Sequence, residues 1–530
     1  MAEITMLRQR LLGHRPPNLL RDWIAAIAIT LWAGIIRIVG LAHPNTLVFD
    51  ETYYVKQGWS MILYGHERRV ENSLASANAS PKVDEVFAAG TPDVFGPVAD
   101  FVVHPPVGKW LIGFGQWAFG VENPFSWRIA SAVFGTLSIL MIIRIGRRLF
   151  GSTSLGLIAG VLMAFDGQHF VHSRTGLLDV FVMFFALAAF GALLIDRDRS
   201  RERLAEIVGT WRAEGMRADD PRLRFGPWLG LRPWRLVAGV SLGLATGVKW
   251  SGLYFLVAFG LLTVFWDMGA RRAAGIRRWW FAAMLIEAPQ AAVTMVGATV
   301  LTYVATWTGW FLTDSGFDRH WADENPAAKT FSFVPDALRS LWHYHVQMYE
   351  FHRGLHTKHD YMSNPWSWIV QGRPTSFYYQ SYHNGQSGCT TDNCSAAITN
   401  LGNPVIWWAG ALSIAVLFTM WAWRRDWRAG AILAGYAGGY LPWFTLQDRT
   451  IYTFYSVAFL PFVVLGVVYC LGLAIGPATA SPGRRRSGLI AVSMYVVLAA
   501  AVFVFFYPVL AAEVIPYESW RARMWFPSWI

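Results

Sequence analysis

The chain has 530 residues, 54% of them hydrophobic and only 15% charged, with a mean hydropathy of +0.33; a soluble domain carries about 25% charged residues, so a soluble fold is excluded. The net charge of +11 rests on 45 basic residues, only six of them Lys. The arginines stand in short stretches between apolar runs, which is the pattern of membrane topology determinants and not of a groove that tracks nucleic-acid phosphates.

Residues 1–21 form a basic tail with Arg8, Arg10, Arg15 and Arg21. The apolar run 23–42 is too long for a signal-peptide core and predicts a retained helix with its basic end inside. Arg37 lies near the outer end of that run, where it either snorkels to the interface or meets an anionic substrate. Phe49-Asp50-Glu51-Thr52-Tyr53-Tyr54 follows. Its two adjacent carboxylates sit where the chain leaves the membrane, either capping a loop helix or taking a proton from a hydroxyl beside a lipid-borne substrate.

Residues 43–125 read as a first extracytoplasmic loop. Within it His104-Pro105-Pro106-Val107-Gly108-Lys109-Trp110 opens a short helix rich in Trp and Phe, expected to lie in the membrane interface. Spans are predicted at about 127–145, 154–165 and 177–195, with Arg128 at the outer start of the first, Asp166 at the exit of the second and Asp179 inside the third. Residues 196–235 hold ten Arg and read as a basic cytoplasmic loop. Spans 236–248 and 253–266 meet at Lys249-Trp250-Ser251-Gly252, and a seventh lies within 288–312. Residues 313–403 form a large extracytoplasmic loop rich in His, Trp and Tyr, including His343, His345 and His352. Four more spans follow at 405–423, 429–444, 450–475 and 489–510.

The reading is therefore a single all-α polytopic membrane domain, residues 1–530. It has about 11 transmembrane helices, a cytoplasmic N-terminus and an extracytoplasmic C-terminus. Cys470 lies in an apolar run and reads as packing. Cys389 and Cys394 share one polar loop, where an extracytoplasmic location favours a local disulfide.

Under this topology Asp50, Glu51, His104, Lys109, Arg128, Asp166, Asp179 and Lys249 converge on the outer side. Each alone has a plain structural reading: Lys249 beside Trp250 as an interface anchor, Asp166 as a turn residue, Asp179 as one partner of an intramembrane pair. Together they suit one chemistry. A glycoside leaving group needs a strong acid, whereas a phosphate leaving group needs cations. An ionised Asp accepts the proton of an incoming hydroxyl while Arg or Lys holds the departing phosphate. That is glycosyl transfer from a lipid-phosphate sugar. No metal is assigned: the histidines of the second loop lack a ligand spacing such as His-Glu-x-x-His and read as hydrogen-bonded surface groups, although Asp50 and Glu51 leave a divalent metal open.

The motifs carry a resemblance. Val48-Phe49-Asp50-Glu51-Thr52-Tyr53-Tyr54, His104-Pro105-Pro106-Val107-Gly108-Lys109, Arg174-Thr175-Gly176-Leu177-Leu178-Asp179-Val180-Phe181 and Gly247-Val248-Lys249-Trp250-Ser251-Gly252-Leu253 resemble, in order, the protein O-mannosyltransferases. So do Pro365-Trp366-Ser367-Trp368, Gly372-Arg373-Pro374, Gly402-Asn403-Pro404 and Trp407-Trp408. The resemblance implies the GT-C membrane glycosyltransferase fold, a polyprenyl-phosphate-mannose donor and Ser or Thr hydroxyls of exported, unfolded polypeptides as acceptors, with inversion. It implies Asp50 as general base, Glu51 orienting acceptor or donor, and Arg128 at the lipid phosphate. Charge and side alone add Lys109 and Lys249 as phosphate partners and His104, Asp166, Asp179, His345 and Arg37 as substrate contacts.

Eukaryotic members carry a β-trefoil module in the large outer loop, and residues 313–403 are too few to hold one. The chain is therefore similar to the shorter bacterial, actinobacterial branch. The expected location is the bacterial cell membrane with an extracytoplasmic site. Membrane lipids and the Sec translocon are expected partners, with no cofactor and no nucleic acid. Two competing functions are a polyprenyl-phosphate-sugar transferase acting on a glycan or lipid, and a transporter of a lipid-linked sugar. The second would need polar residues at mid-membrane, whereas here they crowd one face.

Overall fold

A computed structural model describes residues 2–13, 17, 19–71, 83–328 and 332–530; Arg15 of the basic tail lies outside them. All eleven apolar stretches fall on helix. Among the described residues seven helices are long and apolar enough to cross a membrane: Pro124–Phe150, Asp179–Ala213, Gly252–Ala273, Trp279–Thr306, Pro404–Ala422, Thr453–Ile475 and Pro482–Leu510. The other four are Leu20–Ile38, interrupted by Arg21, Asp22 and Arg37, and the shorter Thr153–Ala164, Pro233–Val248 and Trp427–Gly439. At 1.5 Å per residue, Pro233–Val248 reaches about 24 Å, short of the roughly 30 Å hydrocarbon core. It packs along Asp179–Ala213 and Ala298–Thr306.

Asp179–Ala213 is the axis of the bundle. Its 35 residues extend about 52 Å, so the first part of the expected loop 196–235 is helix through Ala213. The apolar part of this helix is buried on most of its circumference: Val180, Phe181, Met183, Ala186, Leu187, Phe190 and Leu193 are within 1% of full burial, while Phe184, Ala188, Gly191 and Ile195 form one half-buried stripe, as a helix largely enclosed by neighbours requires. At the Arg-rich end Arg232, Arg235 and Arg271 meet Asp196, Asp267 and Glu287 in a buried cluster of three cations and three anions. The charges balance, which is the condition for burying them at all.

The opposite, loop-rich end is where the structure departs from the all-α expectation. Arg68–Val70 pairs antiparallel with Phe95–Ala99. Thr375–His383 and Asn393–Asn400 form a hairpin, and Ile515–Pro516 adds a third strand. The hairpin turn contains Gly385, Ser387 and Gly388 at positive φ, and the Cys389–Cys394 disulfide closes it. The helix Val107–Phe119 buries Ile112, Gly113 and Gln116 and exposes Phe114, Trp117 and Phe119, an apolar outer face of the kind an interfacial helix presents.

Candidate active site

The site begins at the turn before the helix Glu51–Tyr64. Phe49 has φ +47°, the left-handed region that costs a bulky side chain on the order of 1–3 kcal/mol. After this turn the two carboxylates diverge. Glu51 is fully buried and Asp50 half-buried.

Glu51 is saturated. Its Oε1 accepts from the Gly176 N–H at 2.7 Å and from Arg128 Nε at 2.8 Å, and its Oε2 from the Val48 N–H and Arg128 Nη2, both at 2.9 Å. Arg128 is saturated too: its other bonds go to the carbonyls of Leu41 at 3.2 Å, Pro44 at 3.0 Å and Thr46 at 2.8 Å. All five guanidinium N–H groups are used. The structure therefore places Arg128 behind Glu51 with its donors engaged, tying the chain turn 41–46 to the helix Pro124–Phe150.

Asp50 has a single side-chain hydrogen bond, from the Tyr54 hydroxyl at 3.4 Å. Burial pushes its pKa up to about 6; nearby Lys249 opposes the rise, Asp179 adds to it, and the Tyr54 hydrogen bond opposes it. Lys249 and Asp179 connect it to a cavity of about 290 Å³ whose lining includes both of them with His104, Tyr254, His352, Arg353, Arg449 and Tyr455, but not Asp50 itself. Lys249 Nζ donates to Asp179 Oδ2 at 2.8 Å and sits over the rings of Tyr455 at 5.2 Å and Phe454 at 5.9 Å. Arg449 Nη2 donates to His352 Nδ1 at 2.9 Å, and His352 Nε2 donates to the Val103 carbonyl at 2.8 Å. This network assigns the histidine tautomer. Burial lowers His352 to about 4, helped by Arg449, and burial with neighbouring cations holds His104 well below its usual range. Both imidazoles are neutral at pH 7, so the cavity's cations are Lys249, Arg353 and Arg449.

Of the expected site residues, Asp50, His104, Asp179 and Lys249 come together. The rest do not. Lys109 is buried, paired with Glu67, and donates to the His104 carbonyl at 2.7 Å, so it holds His104 in place. Asp166 caps the helix Gly167–His172 through the His169 N–H at 2.9 Å, and accepts from the Asn403 N–H and Trp407 Nε1, both at 3.0 Å. Arg37 neither snorkels nor reaches the cavity. It is fully buried and donates to the carbonyls of Ala33 and Ala164 and to His169 Nδ1 at 2.8 Å. His345 lies behind Trp250: Trp250 Nε1 donates to the Tyr303 hydroxyl at 3.0 Å, which meets His345 Nε2 at 2.6 Å. It lines a neighbouring apolar groove with Val300, Trp342 and Val346.

Sequence reasoning missed Arg353, Arg449 and His352. Neither Arg353 nor Arg449 stood out, because several other arginines, such as Arg319, Arg339 and Arg373, also fall in stretches read as extracytoplasmic. Among the described residues no three His, Cys, Asp or Glu side chains are grouped to hold a metal ion.

Comparison with known proteins follows the same outline. Residues 27–207 match the family described as dolichyl-phosphate-mannose-protein mannosyltransferase, and residues 337–529 match the C-terminal four-TMM region of protein-O-mannosyltransferase. The polyprenol-phosphate-mannose–protein mannosyltransferase of Mycolicibacterium smegmatis is 37% identical, covering 97% of this chain and 94% of its own. The protein of the same description from Mycobacterium tuberculosis is 36% identical over 97% and 93%. Among solved structures, the Saccharomyces cerevisiae protein O-mannosyltransferase complex bound to the sugar donor superposes with a TM-score of 0.69 at 14% identity, covering 100% of this chain and 94% of that one. At that identity the likeness speaks for the fold alone.

Proposed function

The chain belongs to the protein O-mannosyltransferase family, and from that premise we propose how its own residues divide the reaction. It is a multi-pass membrane glycosyltransferase of the GT-C fold that transfers mannose from polyprenyl-phosphate mannose to protein. Asp50 is the general base. As the Ser or Thr oxygen attacks the anomeric carbon, its proton passes to the Asp50 carboxylate. The bond between that carbon and the phosphate oxygen breaks on the opposite face, giving inversion. The departing polyprenyl phosphate is held by Lys249, Arg353 and Arg449, whose charges stabilise it as it leaves. Neutral His104 and His352 orient hydrogen bonds without altering the charge balance. Cations do the work at the leaving group, so the reaction needs no divalent metal. The site faces outward across the bacterial plasma membrane, where unfolded acceptors emerge from the secretion channel.

The observation that carries this reading is the contrast within the acidic pair. Glu51 has every lone pair committed to a buried lock, while its neighbour Asp50 has one weak bond and stands within the field of the cavity's Lys249. The test uses membranes containing the wild type or Asp50→Asn, polyprenyl-phosphate mannose labelled in the sugar, and a peptide with a single Thr. Label should move to the peptide with the wild type and fall by about 10²-fold or more with Asn. Label on a glycan or lipid and none on peptide would overturn the acceptor; equal rates would overturn the base.

A further inference from the structure

We infer that Phe377, Tyr452 and Phe454 are positioning residues: they grip the ring of Phe49 and thereby hold the Asp50 carboxylate where the acceptor hydroxyl must lose its proton. The inference deepens the reading of Asp50 as base and rests on it.

Phe49 occupies the left-handed region at φ +47°, where a side chain beyond Gly is disfavoured. What holds it is tertiary. The Phe377 ring stacks on Phe49 at 4.7 Å and 10°. Phe454 and Tyr452 meet it edge-on at 5.5 Å and 6.4 Å, with interplanar angles of 87° and 88°. Phe377 and Phe454 also contact each other at 5.6 Å, so the cage is closed on itself. Phe377 comes from the hairpin strand Thr375–His383, Phe454 from the start of Thr453–Ile475, and Tyr452 from the extended residue just before it, all far apart in sequence from residue 49.

The consequence for Asp50 is geometric. On its C-terminal side Glu51 is locked to Arg128. On its N-terminal side the conformation of Phe49 sets the peptide plane that leads into Asp50. A return of Phe49 to negative φ would turn that plane and carry the carboxylate away. Phe454 faces Lys249 Nζ as well, at 5.9 Å, so one cluster touches the neighbour of the base and a cation of the cavity. The groups facing Asp50 are Tyr54 on its own helix, and Lys249, Asp179, Tyr452 and Tyr455 from the surrounding elements.

The experiment compares Phe377→Leu, Phe377→Tyr, Phe49→Ala, Phe49→Gly and Asp50→Asn, each normalised to monodisperse folded protein in detergent. For Phe377→Leu we expect kcat to fall on the order of tenfold to a hundredfold, as for a small misplacement of a reacting group, with KM for donor and peptide changed less than about threefold. Phe377→Tyr keeps the stacking ring and should restore most of kcat. At position 49 the order should be Phe, then Gly, then Ala, because Gly adopts positive φ freely and Ala does not. A role in packing alone predicts Ala at least as active as Gly, and that order would overturn the inference, as would an unchanged kcat in Phe377→Leu. If those results came with an inactive Asp50→Asn, the base assignment would stand without the cage. An active Asp50→Asn would overturn both.

Discussion

Arg128 grips Glu51 through two parallel hydrogen bonds, Nε to Oε1 at 2.8 Å and Nη2 to Oε2 at 2.9 Å, with both side chains within 1% of full burial. Bidentate pairs of this kind are the strong form of a charge-assisted bond. Here the pair anchors the turn that presents Asp50.

The first prediction follows directly. Arg128→Ala or Glu51→Ala leaves an uncompensated buried charge, which costs about 3–5 kcal/mol. Unfolding in detergent should show a large loss of stability in both. Arg128→Lys keeps the charge but cannot supply five donors, so it should also be destabilised. The donor KM of its folded fraction should stay near wild type; a KM raised tenfold at normal stability would return Arg128 to the phosphate.

Asp50→Asn should behave in the opposite way. The carboxylate has a pKa raised to about 6, mainly by burial, against an ordinary value near 3.9. A group raised in the folded state binds its proton more tightly there, so stability is lost as pH rises from the unfolded pKa through about 6 and the full cost is carried at higher pH. Asn cannot ionise. The variant should therefore be at least as stable as wild type at pH 7–8 while nearly inactive, as thermal melts run beside the transfer assay would show.

The pH profile of kcat/KM should rise through about pH 6 as Asp50 loses its proton. Two neighbours move this limb in opposite directions. Lys249 lowers the Asp50 pKa and Asp179 raises it, so Lys249→Met should shift the limb up and Asp179→Asn should shift it down. Identical limbs in all three proteins would place the titrating group elsewhere.

Arg449 and Lys109 are both basic and lie at the same end of the bundle, but they should fail differently. Arg449 lines the cavity, and Arg449→Ala should raise the donor KM about tenfold, the order of one charge-assisted bond. Lys109 is spent on Glu67 and the His104 carbonyl. Lys109→Met should lower stability and leave the donor KM of the folded fraction within about twofold.

The acceptor reaction should be indifferent to a chelator, because cations already serve the phosphate. Transfer that stops with chelation and returns with a divalent ion would place a metal in the reaction.

How far the site was legible can be read from particular pairs. The Asp50-Glu51 dipeptide stood out because two carboxylates at a membrane boundary are costly. Which of them was free could not be read, because Glu51 is neutralised by Arg128, 77 residues away. The same holds for the lysines: Lys249 lines the cavity with Asp179, 70 residues distant, whereas Lys109 is silenced by Glu67. Arg449 lies between the predicted spans 429–444 and 450–475, and only the fold sets it against His352, 97 residues earlier in the chain. The hairpin Thr375–Asn400 was hidden because only the first residues of its outer strand alternate, between buried and half-buried.

The sequence by itself determined the membrane class, the apolar helical stretches, the crowding of charge at one end and the Asp-Glu motif. Hydropathy and charge density are sums over neighbouring residues and survive without a fold. The tertiary structure alone decided which carboxylate is unpaired, which cations face the cavity and what holds Phe49 at positive φ. Those depend on burial and on partners brought from distant parts of the chain, and the energy of a charge or a strained turn is set by what surrounds it.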